Sequence, residues 1–217
     1  IAEEPAGLTG RLATTLQTFR EAYGFPGATA AVALPDGRVV TAATGLADVE
    51  AGRAMTPGTR MLAASIGKTF VAATVLALES EGALSRADPL SAHLGDRPWF
   101  AELPNGADIT LGHLLRHTSG LPDHPHLPAF QRAFAERIAA GAPAFPPQEL
   151  VGFVLEAAPL FPPGEGWAYS DTGYILLGLV IEEVTGRPYY DDLRERFLAP
   201  LGLDGTLPSD GPDIPGL

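Results

Sequence analysis

The 217-residue chain contains no cysteine. Disulfides, a thiol nucleophile and cysteine-ligated zinc are excluded. Lysine is almost as scarce: of the 14 basic residues all are arginine except Lys68. Basic charge as a whole is short, with 14 Lys and Arg against 26 Asp and Glu, a net charge of −12 and a pI near 4.7. Such a surface repels phosphate, which argues against nucleic acid and anionic membrane as partners. No apolar run reaches about 18 residues, so no membrane span is expected. Low-complexity tracts are missing too, since the 25 Gly and 21 Pro are spread along the chain and read as loops.

What is present is apolar material for a core. Hydrophobic residues make up 46% of the chain and charged residues 18%, enough for one large domain or one domain with a lobe. Leu8, Leu12, Leu16, Phe19 and Tyr23 recur at helical spacing and predict an opening amphipathic helix. Ala28 to Leu34 and Arg38 to Gly45 flank Pro35-Asp36-Gly37 and predict a β-hairpin. From Ser65 to Glu81 the pattern is helical and mostly apolar, which predicts a buried helix ending at Gly82. Further helices are expected at Thr110–His117, Pro128–Ala140, Gln148–Ala157, Asp171–Val184 and Asp191–Leu198. Thr110 and Asp171 are candidate N-caps, and Gly186 is a candidate helix terminator.

The lone lysine stands three residues after Ser65, in Ser65-Ile66-Gly67-Lys68. Residues i and i+3 share a helix face, so both side chains can reach one cleft. Arginine stays protonated at any working pH, whereas a desolvated ammonium can lose its proton. The start of a helix adds free N–H groups and a positive dipole end, which help an oxyanion and disfavour a nearby ammonium. The spacing therefore predicts Ser65 as nucleophile and Lys68 as a neutral base. The competing reading is a capping serine and a solvated surface lysine.

Tyr169-Ser170-Asp171 follows 169 − 65 = 104 residues later, between Phe161-Pro162-Pro163-Gly164 and Thr172-Gly173-Tyr174-Ile175-Leu176-Leu177-Gly178. Taken with Ser65-x-x-Lys68 and Leu114-Leu115-Arg116-His117-Thr118-Ser119-Gly120-Leu121-Pro122-Asp123, this block resembles the serine β-lactamase and penicillin-binding-protein superfamily. The similarity runs from about residue 20 to residue 205 and points to the class C β-lactamase, D-alanyl-D-alanine carboxypeptidase and esterase branch. Ser170-Asp171-Thr172 can also be aligned with the Ser-Asp-Asn of class A enzymes, a weaker match to the flanking residues.

The resemblance implies an α/β (α+β) fold, an antiparallel sheet flanked by helices plus an all-helical lobe, with the site between lobes. The expected division is residues 1–60 for the N-terminal helix and hairpin, 61–190 for the mainly helical lobe, and 191–217 for a return toward the sheet. It implies catalytic roles for Ser65, Lys68 and Tyr169, with Tyr169 shuttling a proton beside Lys68. Asp171 falls where the family carries an asparagine that holds the lysine and contacts the substrate. A carboxylate only accepts hydrogen bonds, so Asp171 favours a substrate presenting a donor or a cation; helix capping is its alternative role. The family's third motif, Lys or His followed by Thr or Ser and Gly, has no counterpart after Asp171. Strands completing the sheet are accordingly expected from residues beyond Leu217 or from a second chain.

His113 and His117 have i, i+4 spacing, but Leu114 stands where a zinc hydrolase needs glutamate. The resemblance assigns His117 to a structural loop motif. Asp123-His124-Pro125-His126 reads as a polar loop and His93 as structural or exposed, so no metal and no cofactor are called for. The expected function is a serine hydrolase forming an acyl-enzyme on an ester, amide or β-lactam carbonyl of a small molecule or short peptide. The alternatives are a sensor module that acylates without turnover and a structural homologue without activity. Ile1 in place of Met is expected from a processed or trimmed N-terminus, and a secreted or periplasmic location is expected over a cytoplasmic one.

Overall fold

The computed structural model describes residues 5–209, with side chains from residue 7, and groups them in two units, 5–62 and 63–209. The first unit opens with helix α1 (Pro5–Tyr23) and continues into strands β1 (Gly27–Ala33), β2 (Val39–Asp48) and β3 (Arg53–Ala54). The three strands form one antiparallel sheet in the order β1-β2-β3, with Gly27 opposite Gly45 and Ala33 opposite Val39. Pro35-Asp36-Gly37 makes the expected turn: Gly37 takes φ 85° and its N–H donates to the Leu34 carbonyl. The Asp36 carboxylate accepts from both the backbone and the side chain of Arg38. Val40, Ala42 and Thr44 are buried at alternate positions of β2, as one face of a pleated strand requires. Helix α1 packs along β2, and Gln17 receives the Thr44 hydroxyl hydrogen bond. Strand β2 extends past the expected end at Gly45 because β3 pairs with it, and two residues are too short for β3 to show a periodicity.

The second unit is helical. It contains α2 (Gly67–Ser80), α3 (Ser91–Leu94), α4 (Leu111–Leu115), α5 (Pro128–Ala139), α6 (Pro147–Gly152), α7 (Asp171–Thr185) and α8 (Tyr189–Leu193). Short 3-10 turns lie at Ala64–Ile66, Phe100–Glu102 and His124–His126, and a π-helical turn at Arg194–Leu198 continues α8. Helix α7 is the axis of this unit. It touches α2, α3, α4, α6 and α8, and Leu176, Leu177, Val180 and Ile181 have no exposed surface. A helix apolar nearly all round must be enclosed in this way.

The helix ends follow from local chemistry. Thr110 caps α4 reciprocally: its hydroxyl accepts from the His113 N–H while His113 Nδ1 accepts from the Thr110 N–H. Gly186 ends α7 at φ 66°, a left-handed position that costs glycine little. The N-cap of α7 is Ser170, whose hydroxyl accepts from the Gly173 N–H, and this corrects the expectation for Asp171. Asp171 is the first residue of the helix instead, and its carboxylate is engaged elsewhere.

Candidate active site

Ser65 is the middle residue of the Ala64–Ile66 turn, two residues before α2 begins. It is exposed, in a turn whose Ile66 N–H donates to the Ala63 carbonyl at 3.1 Å. Ala64, immediately before it, has φ 47°. A left-handed conformation costs an alanine roughly 1–2 kcal/mol, so surrounding contacts hold this turn in place. Outliers of this kind cluster at functional sites.

The four residues singled out by sequence lie together. The Tyr169 hydroxyl donates to Ser65 Oγ at 2.6 Å. Lys68, the second residue of α2, lays its Nζ 4.7 Å from the Tyr169 ring centroid and 5.6 Å from that of Tyr174. The same ammonium forms an ion pair with Asp171 Oδ1. The side chains therefore form a chain of contacts: Asp171, Lys68, Tyr169, Ser65.

The charge state of Lys68 differs from the one expected. Burial pulls its pKa down, but the Asp171 and Tyr169 hydrogen bonds and the Asp171 charge outweigh this, and the net shift is upward. Sequence reasoning counted desolvation and the helix dipole. It placed Asp171 beside the lysine without weighing its carboxylate, which favours the ammonium. These surroundings favour the ammonium form of Lys68.

Two residues outside that set hold the backbone of Tyr169-Ser170-Asp171. The His117 carbonyl accepts from the Ala168 N–H at 3.0 Å, and its ring Nδ1 accepts from the Ser170 N–H at 3.2 Å. The His117 ring stacks on Tyr169, with centroids 4.5 Å apart and planes at 29°. Burial first, and the Lys68 charge second, lower the His117 pKa, while Asp171 and Asp123 act in the opposite direction. Asp123 is buried, and its Oδ1 accepts from the Asp171 N–H at 2.8 Å. The Thr172 hydroxyl accepts from the His124 N–H and meets His124 Nδ1 at 2.9 Å.

These contacts depend on two loops running side by side. The N–H groups of Leu160 and Gly164 donate to the carbonyls of Gly120 and Thr118. Asn105 ties the loops together, its amide donating to Ser119 and Phe161 carbonyls at 3.0 and 2.9 Å. Gly120, at φ 72°, lies so close to the second loop that a Cβ would come within 2.0 Å of the Phe161 carbonyl oxygen. The quoted stretch Leu114 to Asp123 contained the signal for His117 and Asp123, but nothing in the spacing shows that they bind the Tyr169 segment.

The remaining histidines have protein partners. His113 caps α4, His124 meets Thr172, and His93 Nε2 lies 3.2 Å from Asp88. The exposed His126 lies 3.7 Å from Asp123 Oδ2. No group of three or more His, Asp or Glu able to hold a metal occurs among the described residues. No helix among them is long and apolar enough to cross a membrane.

Comparison with known proteins follows this geometry. The β-lactamase family model matches residues 12–211. The esterase EstB of Burkholderia gladioli is 34% identical over 211 residues, covering 92% of this chain and 51% of the esterase. A D-aminopeptidase of Brucella anthropi is 33% identical over 195 residues, covering 88% of this chain and 34% of the aminopeptidase. Among solved structures, a D-stereospecific amidohydrolase from Streptomyces superposes with a TM-score of 0.74 at 33% identity, covering 88% of this chain and 55% of the amidohydrolase. The chain thus spans about half or less of the length of the curated relatives it matches.

Proposed function

The chain belongs to the β-lactamase family, and from that premise we propose that it is a serine hydrolase working through an acyl-enzyme on Ser65. The observation that carries this reading is the 2.6 Å contact between the Tyr169 hydroxyl and Ser65 Oγ, beside a cationic Lys68. Ser65 Oγ attacks the carbonyl carbon of an ester or amide. Its proton passes to the Tyr169 oxygen as the Tyr169 proton passes to the departing oxygen or nitrogen. The former Tyr169 proton leaves with the departing group, and Tyr169, now carrying the serine proton, ends neutral as it began. Lys68 stabilises the negative charge that develops on Tyr169 during this exchange. The Ser65 N–H, in the turn that leads into α2, holds part of the oxyanion. Water then releases the acyl group by the reverse route.

Asp171 sets the substrate preference in this proposal. One carboxylate oxygen pairs with Lys68, and the side chain keeps 37% of its surface exposed. A substrate amino group is a matching donor and cation. The names of two relatives, a D-aminopeptidase and a D-stereospecific amidohydrolase, support amino-acid amides and esters as the class to test. A location outside the cytoplasm, checked by fractionation of source cells, is part of the same reading.

The test is a panel on the protein at its natural length: p-nitrophenyl esters, D- and L-amino-acid amides, D-alanyl peptides and nitrocefin. Turnover of an ester or amide that disappears in Ser65→Ala is expected, with a preference for substrates bearing a free amino group. Stable acylation without turnover would replace this reading by a sensor, and no acylation by a structural role.

A further inference from the structure

We propose that His117 is a positioning residue for Tyr169, fixing the phenol on Ser65 Oγ by accepting the Ser170 N–H while its ring stacks on the Tyr169 ring. The inference rests on the reading of Ser65 as nucleophile, but it concerns a residue that reading does not use.

Tyr169 needs such a support. It is 38% exposed and sits in an irregular stretch before α7, so neither burial nor a helix ladder fixes its χ angles. His117 binds the backbone on both sides of it, taking the Ala168 N–H at its carbonyl and the Ser170 N–H at Nδ1. The ring supplies the third contact, face to face at 4.5 Å. Tyr174 lies on the same imidazole at 5.2 Å, and its hydroxyl donates to the Leu115 carbonyl, so the stack is anchored on α7 and α4. Carbonyl and ring meet one strand of chain because His117 adopts φ 58°, a conformation histidine rarely takes. A residue at positive φ that binds the backbone on both sides of Tyr169 and stacks on its ring has a positional role to explain it.

The arrangement requires neutral imidazole. Nδ1 must be a lone-pair acceptor, which places the proton on Nε2. Protonation would turn Nδ1 into a donor facing the Ser170 N–H, and the clamp would open. The charged groups that face His117 are Lys68 from α2, Asp171 from α7 and Asp123 from the segment after α4; the Tyr169 and Tyr174 rings cover it. Burial and Lys68 prevail over the two carboxylates, so the ring stays neutral to below the ordinary value of 6.5. The acylation rate should therefore hold through neutral pH and fall as pH drops through that lowered value.

Two measurements test this. Long-range 1H–15N spectra of the unmodified protein need no substrate. They should show His117 as the Nε2–H tautomer, titrating below 6.5; an Nδ1–H tautomer would overturn the proposal. The second is the rate of Ser65 labelling by a fluorophosphonate in His117→Gly and His117→Asn. Both substitutes tolerate a positive φ, but only asparagine offers an oxygen near the Nδ1 position. His117→Gly should label about tenfold to a hundredfold more slowly than the parent, the range expected for a slightly misplaced catalytic group. His117→Asn should recover much of that loss and no longer show the acid limb. His117→Asn no faster than His117→Gly, or His117→Gly as fast as the parent, would overturn the proposal. If the parent protein does not label at all, the hydrolase reading fails and the spectra alone decide the geometry.

Discussion

Asp171 and Lys68, 103 residues apart in sequence, form an ion pair, and this pair decides what the only lysine of the chain can do. A lysine held by a carboxylate keeps its proton. We propose that its contribution to the site is a positive field beside Tyr169 rather than a free lone pair.

Substitution at Lys68 separates these roles. A field can be supplied by any cation, whereas a base cannot be replaced by guanidinium. Lys68→Met should lower kcat/KM by about 10²–10³, the usual cost of losing one electrostatic stabiliser. Lys68→Arg should lose no more than about tenfold, since the charge survives. Equal losses in steady-state assays of the two variants would restore the neutral-base role expected from the sequence.

Asp171→Asn should lower the Lys68 pKa, because the hydrogen-bonding carboxylate is the largest influence raising it. The raised pKa means that the pair contributes stability fully below the ordinary value of 10.5 and loses it as pH rises through the higher folded value. In Asp171→Asn the stability that the pair adds below 10.5 should be absent, and activity that needs the ammonium should fail at lower pH. Thermal unfolding between pH 8 and 11 reads this directly: the parent's advantage over Asp171→Asn should shrink toward the alkaline end, and a difference independent of pH would show that the pair does not control Lys68.

Asn105 should matter to stability out of proportion to its size. Asn105→Ala leaves the Ser119 and Phe161 carbonyls without their amide donor, at a cost of about 1–3 kcal/mol. Asn105→Asp should be worse, since a carboxylate would face two carbonyl acceptors. Urea unfolding of both variants checks the order.

Gly120→Ala should be the more damaging change in the same place. It combines a φ of 72° with a Cβ 2.0 Å from the Phe161 carbonyl oxygen, so the two loops must separate. We expect a loss of more than about 3 kcal/mol, at the severe end for single substitutions, with weaker Ser65 labelling because His117 and Tyr169 lie on the separated loops. Wild-type stability in urea would contradict the side-by-side packing of the loops.

Much of this was legible in the sequence where the signal was local. Pro35-Asp36-Gly37 between apolar runs specified the hairpin, and Thr110 specified the start of α4, each through a contact spanning a few residues. That Ser65, Lys68 and Tyr169 lie together was legible from the Ser-x-x-Lys spacing and from the family resemblance. Asp171 had two readings, a site residue beside the lysine and a helix cap; the fold gives the cap to Ser170 and the Asp171 carboxylate to Lys68. The positive φ of Ala64 and His117 left no trace either, since such positions are expected at glycine or asparagine. The helix expected to run to Ala157 ends at Gly152, and the one expected at Asp191–Leu198 splits into α8 and a π-helical turn. Periodicity alone does not mark such ends.

The central claim is that Ser65 is a nucleophile activated by its contact with Tyr169. Fluorophosphonate labelling of the protein at its natural length, followed by peptide mass mapping, tests it most directly. The account predicts one covalent adduct on the peptide containing Ser65, absent in Ser65→Ala and formed at least about tenfold more slowly in Tyr169→Phe, which keeps the ring but loses the proton relay. An adduct on another residue, or labelling of Tyr169→Phe at the parent rate, would contradict it.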